Sequence, residues 1–308
     1  MNPPASNPQM APAHRTVLFV GVGKMGLPMA LHLQSAGHHV LAVETSDERR
    51  QLAERRGVAC VEALAVGIER HLVSAPSPLV VSSLPDDAAL LAVAAKLAAH
   101  APLGTVWIDT STVSPAASME AARLAGQRGV IGLCAPVSGN ATMAESAQLT
   151  VLVSGERSAF DACLPVFACW GPQRLWIGPS HEARIAKLVV NLLVVGTSTM
   201  LAEALALGER GGLEWNTLWQ VIESSAAASP ILKAKAPALR VGDFTPTFTV
   251  EQMRKDVGLI RDAARAVGAA TPVADVASSA LDRASAAGEA GEDYAVVIRD
   301  ARRGAPRR

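Results

Sequence analysis

A short apolar run from Thr16 to Val20 leads directly into Gly21-Val22-Gly23-Lys24-Met25-Gly26, and a helical pattern then continues to Ala36 and stops at Gly37. Three glycines at these intervals, after a strand and opening a helix, restrict the chain to few architectures. Gly21 allows a tight turn, Gly23 lets the backbone approach a bound pyrophosphate, and Gly26 lets the helix pack on the strand. The free N–H groups at the start of such a helix suit phosphate oxygens. The rest of the first half has the matching rhythm. His39 to Val43, Leu79 to Ser83, Thr105 to Ile108, Leu149 to Val153 and Arg174 to Ile177 read as strands, and Asp47 to Arg56 reads as a helix closed by Gly57. Strands separated by helical segments predict a parallel sheet with helices on both faces. From about Ser180 long helical stretches take over: Ala183 to Arg210, Trp215 to Ser224, Thr249 to Val267 and Pro272 to Ala287. The expected fold is α/β, a doubly wound parallel sheet over residues 15–178 followed by an all-helical domain over 179–303, with the boundary near Gly178-Pro179-Ser180.

The second strand ends at Glu44. A carboxylate there can accept hydrogen bonds from ribose hydroxyls and would repel a 2′-phosphate, which favours NAD over NADP. Arg49 and Arg50 follow closely and leave NADP open. The plainer reading of Glu44 is a surface acid at a strand end.

Composition narrows the function classes. The 308 residues carry 28 Lys and Arg against 28 Asp and Glu, and half of them are apolar. A balanced charge and only five Trp, five Phe and one Tyr argue against a nucleic-acid binder. Four cysteines, at 60, 134, 163 and 169, are too few for a disulfide framework and point to a reducing cytosol. Residues Met1 to His14 read as a disordered leader, and the basic end from Arg302 to Arg308 reads as a solvated, frayed tail. Leu188 to Leu207 is apolar and about as long as a membrane span, but Asn191, Ser198 and Glu203 favour a central helix buried on most faces of a soluble protein. No His-x-x-x-His pair or zinc-like cysteine spacing suggests a metal, and no Gly-x-Ser-x-Gly suggests a hydrolase.

The longer string Phe19 to Ala30, together with Asp109-Thr110-Ser111-Thr112, Ala135-Pro136-Val137-Ser138-Gly139, Lys187-x-x-x-Asn191 and Lys255-Asp256, resembles the ordered signature of the β-hydroxyacid dehydrogenases. That family includes 3-hydroxyisobutyrate dehydrogenases and tartronate semialdehyde (2-hydroxy-3-oxopropionate) reductases. The resemblance runs from Thr16 to about Val297. It implies a Rossmann first domain, a cytoplasmic enzyme, a small carboxylate-bearing substrate and a homodimer or homotetramer. It implies Lys187 as the catalytic lysine, with Asn191 beside it holding substrate. Ser138 and Gly139 become the substrate carboxylate site, with Ser111 near the reacting end. Gly21, Gly23, Lys24, Met25, Gly26, Glu44, Leu84, Pro85, Thr112 and Lys255 become the cofactor contacts. The chain departs from the family pattern at several places. Cys134 stands where Asp is usual, Asn140 where a second Gly is usual, and Met143-Ala144 and Ala147-Gln148 replace Gly-containing steps. His181 and Ala183 replace two glycines before the lysine.

The residues suit the implied chemistry. Lys187 and Asn191 are one helical turn apart and share a face. A neutral lysine can take the proton of a substrate hydroxyl, and its ammonium form can return it. Ser138-Gly139 can bind a carboxylate through a hydroxyl and backbone N–H groups, or be an ordinary turn. Lys255-Asp256 can equally be a charge pair on a solvated helix face. The expected activity is hydride transfer between NAD(H), with NADP open, and a small 3-hydroxy acid or its semialdehyde. An imine reductase of the same fold and a non-catalytic dinucleotide-binding protein are the alternatives.

Overall fold

The computed structural model describes residues 14–303. The leader before His14 and the tail beyond Arg303 lie outside the described residues. The chain divides into two compact units. The first holds the described residues up to Thr112 together with Ala116–Ala183, and the second holds Val113–Pro115 and everything from Arg184 on. The division therefore falls at Ala183, inside the first turn of a helix, rather than at Gly178.

The first unit is built on one sheet. Its strands are β1 (Thr16–Val20), β2 (His39–Val43), β3 (Cys60–Val61), β4 (Pro78–Ser82), β5 (Val106–Asp109), β6 (Ile131–Cys134), β7 (Val137–Ser138), β8 (Thr150–Gly155) and β9 (Gln173–Gly178). They lie in the order β3-β2-β1-β4-β5-β6-β8-β7, with β9 beside β8. The six strands from β3 to β6 run parallel. The expected parallel sheet is thus corrected at one edge, where β8 runs antiparallel to β6 and β7. Helices α1 (Gly26–Ser35), α2 (Asp47–Arg55), α3 (Leu64–Gly67, running on as a π-helical turn Ile68–Leu72), α4 (Asp87–His100), α5 (Pro115–Gly126), α6 (Ala141–Glu145) and α7 (Arg157–Ala168) connect the strands. The central strands are near-continuous apolar runs because both faces are covered, and β4 is buried at every position. Phe19, Met29, Leu33, Phe167 and Trp170 anchor this core, and the Trp170 indole donates to the carbonyl of Met29 at 3.1 Å.

The order reverses at β1, which has β2 on one side and β4 on the other. In open α/β sheets a ligand crevice forms outside the carboxyl ends of the strands at such a point. The loops that follow β1, β2, β4, β5 and β7 all carry candidate site residues.

The second unit is helical: α8 (Glu182–Arg210), α9 (Trp215–Ser224), α10 (Pro230–Val241), α11 (Val250–Ala266), α12 (Pro272–Ala286) and α13 (Val297–Arg303). Leu205, Val250, Val257, Ala274, Ala277 and Ile298 form the centre of its core. Two expectations are corrected here. Arg302 and Arg303 are no frayed tail, because they close α13 and pair with Glu209 at 2.7 Å and Glu289 at 3.4 Å. Helix α8 is long and apolar enough to cross a membrane by length and composition, yet less than half of that apolar stretch is buried. Ile185, Val189, Leu193, Met200 and Leu207 stand exposed along one face of it.

Candidate active site

The loop after β1 is shaped by contact with its own strand neighbours. A Cβ on Gly21 would lie 2.4 Å from the carbonyl oxygen of Ser83, and one on Gly26 would lie 2.0 Å from the carbonyl oxygen of Gly21. Neither position accepts a side chain. Gly23 differs, since a Cβ there would meet nothing within 4 Å. The loop is closed against the protein at its two ends and open at its middle, which is the cradle a pyrophosphate needs. Lys24 is exposed and Met25 half-buried at the helix entrance.

Glu44 is buried and tied to this loop. Its Oε2 accepts from the Val22 N–H at 3.2 Å and its Oε1 from the Ser46 N–H at 3.0 Å. The surface-acid reading is therefore set aside. Arg50 is committed elsewhere: its guanidinium donates to the carbonyls of Glu44 and Thr45, both at 2.8 Å, and pairs with Asp47. Arg49 is largely exposed, 4.0 Å from Glu44. Of the two arginines that left NADP open, one is occupied by the turn itself.

The ends of β4 and β5 share one carboxylate. Asp109 Oδ1 accepts from the Ser82 hydroxyl at 2.5 Å and from the Ser111 hydroxyl at 2.6 Å. Ser111 in turn accepts from the Leu84 N–H at 2.8 Å. Ser111 thus fixes the Leu84-Pro85 turn to the end of β5, with Thr112 half-buried beyond it.

After β6 the chain turns through Ala135-Pro136 into β7, where Ser138 pairs with Thr150 of β8. Ser138 is half-buried and Gly139 exposed. Asn140, the residue standing where a glycine is usual, caps α6: its Oδ1 accepts from the Met143 N–H at 2.9 Å. The far end of α6 is held by His32, whose Nε2 lies 3.0 Å from the carbonyl oxygens of Ala144 and Glu145. The altered loop is a short capped helix rather than a slack insertion.

The second unit brings α8 and α11 together. Lys187 and Asn191 project from α8, and Lys255 and Asp256 from α11. Asn191 Nδ2 donates to Asp256 Oδ2 at 2.7 Å, and Lys255 Nζ lies 3.1 Å from Asp256 Oδ1. Burial drives the Lys187 ammonium below the usual lysine range, the Asp256 carboxylate works against that, and Lys255 adds to it. Burial pushes Asp256 upward, while Lys255, Lys187 and the amide of Asn191 oppose the rise. The group is a lysine with a weakened hold on its proton, beside an amide and a buried ion pair. That is what proton exchange with a substrate hydroxyl requires.

Family comparisons agree with this geometry. Residues 16–178 match the NAD binding domain of 6-phosphogluconate dehydrogenase, and residues 182–300 match the NAD-binding domain of NADP-dependent 3-hydroxyisobutyrate dehydrogenase. The chain belongs to the β-hydroxyacid dehydrogenase family. Its relatives in this family include the L-threonate dehydrogenase of Cupriavidus necator, 32% identical over 92% of this chain and 95% of the relative. The NAD-dependent L-serine dehydrogenase of Pseudomonas aeruginosa is 30% identical over 92% and 96%. The solved Mycobacterium tuberculosis 3-hydroxyisobutyrate dehydrogenase with L-serine superposes with a TM-score of 0.84 at 28% identity, covering 94% of this chain and 99% of that one. Family membership carries oxidoreductase chemistry with an NAD(P) cofactor, and the open glycine cradle with Glu44 beside it fits that group.

Asp256 is the site residue that sequence reading underrated. The reading of Lys255-Asp256 as a charge pair on a solvated face does not hold for Asp256, which is almost wholly buried. A signal existed: Met253, Val257 and Ile260 flank it at helical spacing and are all buried, so the carboxylate lies on the buried stripe of α11. Within the second unit the structure unites Lys187, Asn191, Lys255 and Asp256. Within the first it gathers the glycine loop, Glu44, Leu84, Ser111 and Ser138 at the carboxyl ends of the strands.

Proposed function

We propose that the protein oxidises a small 3-hydroxy acid to its semialdehyde, or runs the reverse reduction, with NAD preferred over NADP. The first unit binds the cofactor through the Gly21–Gly26 loop, Glu44 and the Leu84-Pro85 and Thr112 turns, with Lys255 of the second unit as a further contact. Ser138 and Gly139 receive the substrate carboxylate, and Ser111 orders the turn nearby. Lys187 Nζ takes the hydroxyl proton in oxidation and returns it in reduction, and Asn191 orients the hydroxyl. The bound nicotinamide accepts or supplies the hydride.

The observation that carries this reading is the Lys187–Asn191–Asp256–Lys255 group, in which a half-buried lysine has its pKa lowered by burial beside a fixed amide. The retained lysine favours a hydroxy acid over an imine as substrate. Relatives named for L-threonate and L-serine support small polar hydroxy acids. The deciding experiment compares wild type and Lys187→Ala across a panel of small hydroxy acids, with NAD binding followed by calorimetry. Turnover is expected to vanish while NAD still binds. Full activity in the variant would overturn the assignment.

The exposed apolar face of α8 supports a homo-oligomer. Val273 of α12 extends it, since a Cβ on Gly196 would lie 3.2 Å from the Val273 side chain. A surface stripe of this kind marks an interface more often than a monomer's exterior. Four thiols outside any disulfide suit a reducing cytosol.

A further inference from the structure

Two departures from the family pattern, 47 positions apart in the chain, meet in space within the first unit. Cys134 ends β6, and His181 lies between β9 and α8. The Cys134 Sγ is 3.4 Å from His181 Nδ1 and 3.2 Å from the Ser118 hydroxyl of α5. Ser118 and Cys134 are buried, and His181 is half-buried. The sulfur thus has two partners: a base within hydrogen-bond reach and a hydroxyl able to donate to it. A cysteine next to an imidazole gains thiolate character, and thiolate rather than thiol reacts with electrophiles.

The other three cysteines make a natural contrast. Burial pushes the Cys60 thiol up to about 11 and also raises Cys163 and Cys169. Cys163 lies 3.7 Å from the Arg15 guanidinium, and Cys169 donates to the backbone carbonyl of Pro165. Among the described residues, Cys134 alone has an imidazole against its sulfur.

We propose that Cys134 is a peroxide-reactive modification site primed by His181 and Ser118. His181 Nδ1 accepts the thiol proton, and the Ser118 hydroxyl donates to the thiolate. The sulfur attacks one oxygen of hydrogen peroxide. An S–O bond forms and the O–O bond breaks, so the sulfur is oxidised by two electrons and the peroxide is reduced. The departing hydroxide takes the imidazolium proton and leaves as water, and Cys134 becomes a sulfenic acid. The modified sulfur then directly precedes Ala135 to Gly139, the segment leading to the proposed carboxylate site. The chemistry of the thiol does not depend on that assignment.

The test treats the full-length protein briefly with hydrogen peroxide and a 1,3-dicarbonyl sulfenic-acid probe, then maps the label by mass spectrometry. Alkylation by iodoacetamide at pH 7.5 is followed in parallel on each cysteine peptide. Cys134 is expected to react at least about tenfold faster than Cys60, Cys163 and Cys169, the ratio that a one-unit difference in thiol pKa gives. His181→Ala should remove most of that advantage, and His181→Gln serves if the first variant loses its thermal transition. Cys134 reacting no faster than the other three, or keeping its rate in both folded His181 variants, would overturn the proposal.

Discussion

The amide nitrogen of Asn191 donates to the carboxylate of Asp256 at 2.7 Å, which leaves the Asn191 oxygen as the end of the amide able to meet another group. An ionised carboxylate only accepts, so the amide cannot turn over without breaking this bond. The Lys255 ammonium, 3.1 Å from the other carboxylate oxygen, opposes the upward push that burial gives Asp256. Asp256 therefore acts as a positioning residue for Asn191. Asp256→Asn keeps the shape but loses the charge-assisted bond. It should lower kcat/KM by about 10- to 100-fold, the ~1.5–3 kcal/mol such a bond contributes. Steady-state kinetics beside a thermal melt would separate this from simple unfolding.

A second expectation concerns pH. On the proposed mechanism oxidation needs neutral Lys187, so its rate should rise with pH, and burial places that rise below the ordinary lysine value of 10.5. Reduction needs the ammonium form and should fall through the same range. Asp256 helps Lys187 hold its proton, so Asp256→Asn should move both limbs to lower pH. A pH–rate profile in each direction reads the shift, and an unmoved limb would remove Asp256 from the proton balance.

Cofactor choice should turn on Glu44. Its carboxylate sits at the end of β2 with both oxygens held by backbone N–H groups. Glu44→Gln removes the charge that opposes a 2′-phosphate. The NADP-to-NAD ratio of kcat/KM should rise about 10-fold or more, corresponding to ~1.4 kcal/mol. Paired kinetics with the two cofactors measures this directly.

Ala147, at the end of the α6 loop, has φ of 53°, in the left-handed region. A non-glycine residue there costs about 1–2 kcal/mol, partly offset by the chain entropy a glycine brings. Ala147→Gly should stabilise the protein by ~0.5–1 kcal/mol, a rise of about 1–4 °C in Tm. Differential scanning calorimetry would show it.

Self-association should depend on the exposed face of α8. Leu193, 66% exposed, lies in the middle of that stripe. Leu193→Glu should shift the protein to a smaller species in light scattering coupled to size exclusion, with its helical content unchanged. An unaltered mass would place the contact on another surface.

The glycine loop, the longer strands and the long helices α8, α11 and α12 were legible because each carries a period or a punctuation mark over many residues. Strands β3 and β7 were not, since two residues have no period, and Gly132 breaks the pattern of β6. Helix α10 was hidden by Pro237 in its second half, a residue that reads as a helix breaker. The reversal of β8 had no local mark either, because strand direction is decided by pairing across the sheet. At the site, Lys187 and Asn191 were visible as one helical turn, while Asp256 looked like a surface charge until α11 was seen to bury it. The meeting of Cys134 and His181 depends on β6 and the start of α8 ending side by side, a tertiary fact with no counterpart in spacing.

The unequal surroundings of the three loop glycines offer a separation-of-function handle. Alanine at Gly21 or Gly26 collides with backbone and damages the fold, so any loss of activity there is uninformative. Alanine at Gly23 meets empty space and leaves the apo protein intact, and its methyl group would be felt only by an occupant of the cradle.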